Sequence, residues 1–315
     1  MNNHTNRKVQ LIKGRNKERL VYSMLIELGM NEHVDRIIQF IKAINKDEKK
    51  FPIFLLGSAR SGTTLLQKIF NSRDDVAMWG EHGGFLKGVA DAYFLNLTDK
   101  DTKEQILGIN YFVKKPREIL DRLHHPKKLG YAWINCYSEK TLKKNFRTFV
   151  ESFFRPKFLK RKVHWGFKEI RYSNGSVIAM LDDLYPEAKF VFIVRDPLDV
   201  VASQLMMGWK GEPKERAKKW AIRNKHLLNF HNNNKDKSFI IRYEDLIRKE
   251  SGALKELFDW LGWEITTKQY DVIGIKEGIW KKERTDGKPH RAMFTKEQIE
   301  QISKKTKEVS EQLGY

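Results

Sequence analysis

The stretch Gly57-Ser58-Ala59-Arg60-Ser61-Gly62-Thr63-Thr64 carries chemistry that can be read before any fold is assumed. Glycines at 57 and 62 permit positive φ and close backbone approach, so successive N–H groups can converge on an anion. A helix beginning near Gly62 adds the partial positive charge of its N-terminus, and Thr63 and Thr64 add hydroxyl donors. An oxyanion is the natural guest. In loops that bind nucleoside triphosphates the pattern is G-x-x-x-x-G-K-[ST], whose lysine reaches the terminal phosphates and whose hydroxyl holds magnesium. Here Thr63 stands at the lysine position, and the nearest cation is Arg60, inside the loop, where a planar guanidinium can grip an anion from the side. Asp196 ends an apolar run but precedes Pro197, a setting that suits helix capping better than metal binding.

The elements that would position this loop follow from the hydropathy pattern. Phe51 to Leu56 is a short, continuously apolar run, the signature of a parallel strand buried on both faces. After the loop, Leu65, Leu66, Ile69 and Phe70 recur at helix spacing, which completes a strand-loop-helix unit. A second such unit spans Lys189 to Met207: apolar Phe190 to Val194, the turn Arg195-Asp196-Pro197, then a helix with Pro197 in its first turn. Phe239 to Ile241 reads as a third buried strand. Strands alternating with helices predict an α/β fold, a three-layer P-loop-like sandwich with a central parallel sheet. Residues 1–45 read as a basic leader and two helices, and residues 85–160 as a helical, aromatic insertion within a single domain over 1–315.

Composition narrows the class of partner. The 60 Lys and Arg against 40 Asp and Glu give a net charge of +20, whose field draws anions: nucleic acid, an anionic membrane surface, an acidic glycan or a polyphosphate cofactor. The lone Cys136 makes no demand for an oxidising compartment, the N-terminus lacks the apolar stretch of a signal peptide, and the apolar runs are strand-length. A cytoplasmic location is the expectation. Two function classes fit so far: a small-molecule kinase of the P-loop type, which the missing lysine at position 63 argues against, and a nonenzymatic anion or nucleic-acid binder.

With these residues in place, the chain resembles the PAPS-dependent sulfotransferases, and within them the branch that includes the tyrosylprotein sulfotransferases. Arg60-Ser61-Gly62-Thr63-Thr64-Leu65 matches that family's R-S-G-T-T-L loop for the 5′-phosphosulfate. Arg195 and Ser203 match its later signature for the 3′-phosphate. Gly80-Glu81 matches the Gly-Glu whose carboxylate is the catalytic base, and Lys168 in Gly166-Phe167-Lys168-Glu169 matches a lysine that stabilises charge at the transferred group. Weaker similarity reaches Tyr243 in Arg242-Tyr243-Glu244-Asp245-Leu246, Lys288 in Glu283-Arg284-Thr285-Asp286-Gly287-Lys288, and Leu313-Gly314-Tyr315.

The resemblance implies sulfuryl transfer from PAPS to a hydroxyl, with PAP as product, no metal, Glu81 as general base, and Arg60 and Lys168 stabilising charge. Cofactor binding would fall to Arg60, Ser61, Gly62, Thr63, Thr64, Leu65, Arg195, Ser203, Tyr243 and Lys288. Two departures stand out: small-molecule sulfotransferases of the cytosol carry Lys in the loop, Trp after the threonines and a His base, whereas this chain has Arg60 and Leu65 and no His aligned by motif. His82, beside Glu81, is the alternative base. No adenine-stacking residue is assigned. The acceptor is a hydroxyl of a glycan, lipid, sterol, phenol or peptide tyrosine; no nucleic acid is expected, and the basic exterior would suit peripheral association with an anionic membrane.

Overall fold

The computed structural model describes residues 50–98, 124, 139–156, 163–172, 175–274 and 290–315. The leader and helices expected over 1–45, the central part of the 85–160 insertion, and Lys288 lie outside the described residues.

Strand β1 (Pro52–Gly57) is buried along its whole length and leads through the glycine loop into helix α1 (Thr63–Asn71). Strand β2 (Val76–Trp79) and helix α2 (Leu86–Thr98) follow, and helix α3 (Glu139–Phe154) precedes strand β3 (His164–Glu169). Helix α4 (Ser176–Leu184) leads to strand β4 (Lys189–Val194), helices α5 (Pro197–Met206) and α6 (Pro213–Asn233), and strand β5 (Ser238–Arg242). Short helix α7 (Tyr243–Ile247), α8 (Ala253–Leu261), α9 (Thr267–Gly274) and α10 (Lys296–Gln312) complete the described chain.

The strands form one five-stranded sheet of order β2-β3-β1-β4-β5, parallel at every pairing. Alternation along each strand divides two cores. Phe54, Leu56, Phe190 and Phe192 face Val177 and Leu181 of α4 and Leu227 of α6. Ile53, Leu55, Val191 and Ile193 face Leu66, Ile69 and Phe70 of α1 and Leu254, Leu257 and Phe258 of α8. Helices therefore cover both faces, and the three-layer α/β sandwich expected from the alternating pattern is the fold observed. Among the described residues, no helix is long and apolar enough to cross a membrane.

Strand β3 is not announced by hydropathy, because His-Trp-Gly-Phe-Lys-Glu mixes apolar and ionisable residues. It is nevertheless buried throughout, between β1 and β2. Gly166 makes the fit possible: a Cβ there would lie 1.7 Å from the carbonyl oxygen of Ile53, its register partner on β1. Gly166→Ala is expected to cost about 3 kcal/mol, the upper end of ordinary overpacking, and a urea denaturation curve measures it. An unchanged midpoint would mean that β3 can shift away from β1.

The sheet order also fixes where a ligand can sit. The chain leaves β1 towards β2 on one side and later returns to β4 on the other, so the crevice beyond the carboxyl ends of β1 and β4 lies at a topological switch point. The glycine loop follows β1, and Arg195 directly follows β4.

Candidate active site

Gly62 caps α1 in the left-handed conformation, φ 92°, and no side chain among the described residues caps this helix. Its first-turn N–H groups are those a helix leaves without intrahelical partners. A Cβ at Gly62 would lie 2.4 Å from Cδ2 of Tyr243, so the loop packs directly on that ring. Arg60, φ 72°, is the one non-glycine residue with positive φ among the described residues, a strained conformation held by its surroundings. Those surroundings come from distant segments. Gln204 of α5 donates to the carbonyl of Ala59 at 3.2 Å, Asn224 of α6 donates to Ser58 Oγ at 3.3 Å, and Arg195 donates to the Arg60 carbonyl at 3.1 Å.

The two signatures expected to bind separate phosphates meet at one corner. Arg60 Nε donates to Ser203 Oγ at 3.0 Å, and the Arg195 guanidinium lies 4.5 Å over the Tyr243 ring. Burial, and the positive charge of Arg195, push Arg60 below its usual range. Ser61 Oγ and Arg195 Nε are buried without a hydrogen-bond partner among the described residues. Buried donors left unmatched beside two guanidinium groups are what an oxyanion would satisfy, so these residues fit a phosphate-bearing ligand.

Asp196 does cap α5: its Oδ1 accepts from the Asp199 amide at 3.0 Å, with Pro197 in the first turn. The Asp196 amide in turn donates to Glu244 at 3.0 Å, and Tyr315 OH donates to the other oxygen of Glu244 at 2.8 Å. The end of the chain thus braces the turn that carries Arg195.

Glu81 and Lys168 form the opposite part of the site. Lys168, 5% exposed, projects from β3 and donates to Glu81 Oε1 at 2.6 Å and to Thr64 Oγ1 at 3.3 Å. Arg171 donates to Glu81 Oε2 at 2.9 Å. A cavity of about 650 Å³ is lined by Arg60, Thr64, Glu81, Arg171, Arg195 and Tyr243, and Lys168 lies behind its wall, bonded to the lining residues Glu81 and Thr64. Ser203 reaches the site through Arg60, Leu65 lines the cavity, and Lys288 lies outside the described residues.

His82 is placed differently. Its ring sits against Phe85, Phe154 and Phe167 and meets the hydroxyl of Tyr172. Burial pushes it below the usual histidine range, and it is not among the cavity's lining residues. Sequence reasoning missed Arg171, Gln204 and Asn224, because each meets the loop or Glu81 only through contacts between distant segments, and it did not place Trp209 in the cavity wall.

A model of the sulfotransferase family matches residues 52–267, which takes in β1, the glycine loop, Glu81, Lys168 and the Arg195–Ser203 signature. The chain belongs to the sulfotransferase family. Among solved structures, this sulfotransferase is similar to the sulfotransferase domain of the Synechococcus PCC 7002 olefin synthase, at 16% identity and TM-score 0.49, covering 86% of this chain and 98% of that one. It is similar also to the sulfotransferase domain from the curacin biosynthetic pathway, at 15% identity and TM-score 0.47, covering 84% and 98%. The mouse sulfotransferase SULT7A1 complexed with PAP matches at 11% identity and TM-score 0.45, covering 82% and 84%. No curated protein sequence matches the chain.

Proposed function

We propose that this sulfotransferase moves a sulfuryl group from PAPS to a hydroxyl oxygen of its acceptor, with Glu81 as general base. The observation that carries the reading is one cavity that joins an anion-directed corner, built by Arg60, Arg195 and the α1 N-terminus, to a carboxylate paired with a buried lysine. Arg195 and Ser203 would hold the 3′-phosphate end, and Arg60, Ser61, Thr63 and Thr64 with the first-turn amides the 5′ end. When bound, PAPS supplies an activated sulfuryl group: the acceptor oxygen bonds to sulfur as the bond to the bridging oxygen breaks, and the electron pair leaves on that oxygen, giving PAP. Arg60, Lys168 and the α1 amides stabilise the charge that grows there. Glu81 accepts the proton released by the acceptor hydroxyl, a contribution of roughly 10²- to 10⁴-fold. The preference for Glu81 over His82 rests on position, since Glu81 lines the cavity and the His82 ring is enclosed by aromatic side chains.

Thermal stabilisation separates this reading from a P-loop kinase, because a ligand bound only to the folded chain raises Tm. PAP is expected to raise Tm without magnesium, and a shift with Mg-ATP alone would overturn the sulfuryl-transfer reading. Arg195→Ala is expected to weaken PAP binding by about 1.5–3 kcal/mol, roughly 10- to 100-fold in Kd, as lost charge-assisted hydrogen bonds. A Kd equal to that of the unaltered chain, by calorimetry, would remove Arg195 from the cofactor site. Intact-mass screening of glycan, lipid, phenol and peptide pools with PAPS, for an added sulfuryl group, identifies the acceptor.

A further inference from the structure

We infer that Glu169 and Arg171 are a positioning pair for the base, and that they turn Glu81 so that its Oε1, on the side of the glycine loop, is the oxygen that takes the proton. The inference rests on the reading of Glu81 given above.

Glu169 ends β3 with its side chain fully buried. Burial of a carboxylate is costly unless it is hydrogen-bonded. Three backbone amides meet the need: Ile170 at 2.8 Å, His82 at 3.1 Å and Gly84 at 3.0 Å. Burial alone would raise its pKa, but the Ile170 and His82 amides and the Arg171 guanidinium outweigh it and hold the carboxyl below the usual range. Two of the three amides belong to the turn that directly follows Glu81. Glu169 therefore clamps the backbone that carries the base to the end of the strand that carries Lys168.

Arg171 extends the clamp to the side chain. Its Nη1 donates to Glu169 Oε1 at 2.8 Å and to Glu81 Oε2 at 2.9 Å. One nitrogen thus bridges the buried anchor and the base. With Oε2 held there, Oε1 faces Lys168, which is itself 3.3 Å from Thr64 of the loop. A carboxylate free to rotate would present either oxygen, whereas this one is oriented from both sides. The pair differs from a surface ion pair, which is worth little, because one partner is fully buried and anchored by backbone donors.

The side chain of Arg171 is 47% exposed, so it can be changed with little risk to folding. Hydrolysis of PAPS, with water as acceptor, supplies a turnover assay for any acceptor identity, and PAP-induced thermal shift supplies a readout independent of turnover. In Arg171→Gln, turnover is expected to fall roughly 10- to 100-fold, the scale of a misplaced reacting group. The PAPS KM and the PAP shift should stay within about twofold, and Arg171→Lys, which can still donate to both carboxylates, should recover most of the loss. In urea unfolding, Arg171→Gln and Glu81→Gln should be less than additive, as expected for residues in contact. Wild-type turnover in Arg171→Gln, equal damage in Arg171→Lys, a KM that rises in step with the loss, or strict additivity would each overturn the inference. Should the unaltered chain bind PAP yet leave PAPS intact both in water and with every acceptor pool of the intact-mass screen, the reading of Glu81 as a base for sulfuryl transfer falls, and the additivity measurement still decides whether Arg171 anchors Glu81.

Discussion

Glu81→Gln is expected to lower turnover by roughly 10²- to 10⁴-fold while PAP binds as tightly as before. Glutamine keeps the volume of the side chain and one acceptor oxygen, so the β2–α2 turn, held by Glu169 through the amides of His82 and Gly84, has no reason to move. What disappears is an oxygen that can take a proton. PAP affinity should hold because the residues of the phosphate corner, Arg60, Ser203 and Arg195, bond to one another and not to Glu81. Initial rates and a PAP titration on the same preparation check both halves. Turnover equal to that of the unaltered chain would remove the carboxylate from the mechanism and return attention to His82. That histidine would then have to act from an aromatic enclosure that pushes it below its usual range.

Lys168→Met should lower kcat by roughly 10²- to 10³-fold, the loss typical of removing one group that stabilises transition-state charge. Methionine fills much of the volume in a strand buried on both sides, which limits the structural penalty. Thr64 and Glu81 lose their contact with the ammonium, and Arg171 still holds Oε2 of Glu81. The effect should therefore fall on kcat more than on the KM for PAPS, since the interaction strengthens as charge develops. A rise in KM at constant kcat would recast Lys168 as a residue that binds donor and transition state equally.

Exchange between partners is the structural reason to expect both effects together. Lys168 bonds to Glu81 and to Thr64 of the loop at the same time, so one ammonium links the two. Arg60 plays the matching part on the other side, with its backbone in the loop and its guanidinium on Ser203. The +20 charge of the chain, which suggested several anionic partners, has a local counterpart here in Arg60 and Arg195.

Much of this was legible along the chain because the informative patterns are local. A strand-loop-helix unit is contiguous, so the glycines at 57 and 62 and the apolar runs on either side declare both the loop and the parallel sheet. Arg195 and Ser203 lie on one strand-turn-helix, where spacing alone brings them to one end of the element. Strand β3 was not legible in this way, since Lys168 and Glu169 at its end break the apolar run; burial between two neighbours, and a glycine where β1 approaches, make it a strand. The contacts that build the site were beyond the reach of spacing altogether. Arg60 meets Ser203 across 143 residues and Lys168 meets Glu81 across 87, and only the strand order that sets β3 and β4 on either side of β1 brings them together. Covalent spacing governs a hydrogen bond only within an element. Between elements the packing of side chains on the sheet decides which donor reaches which acceptor, and so it was the tertiary structure that bound Glu81 to Arg171 and Glu169.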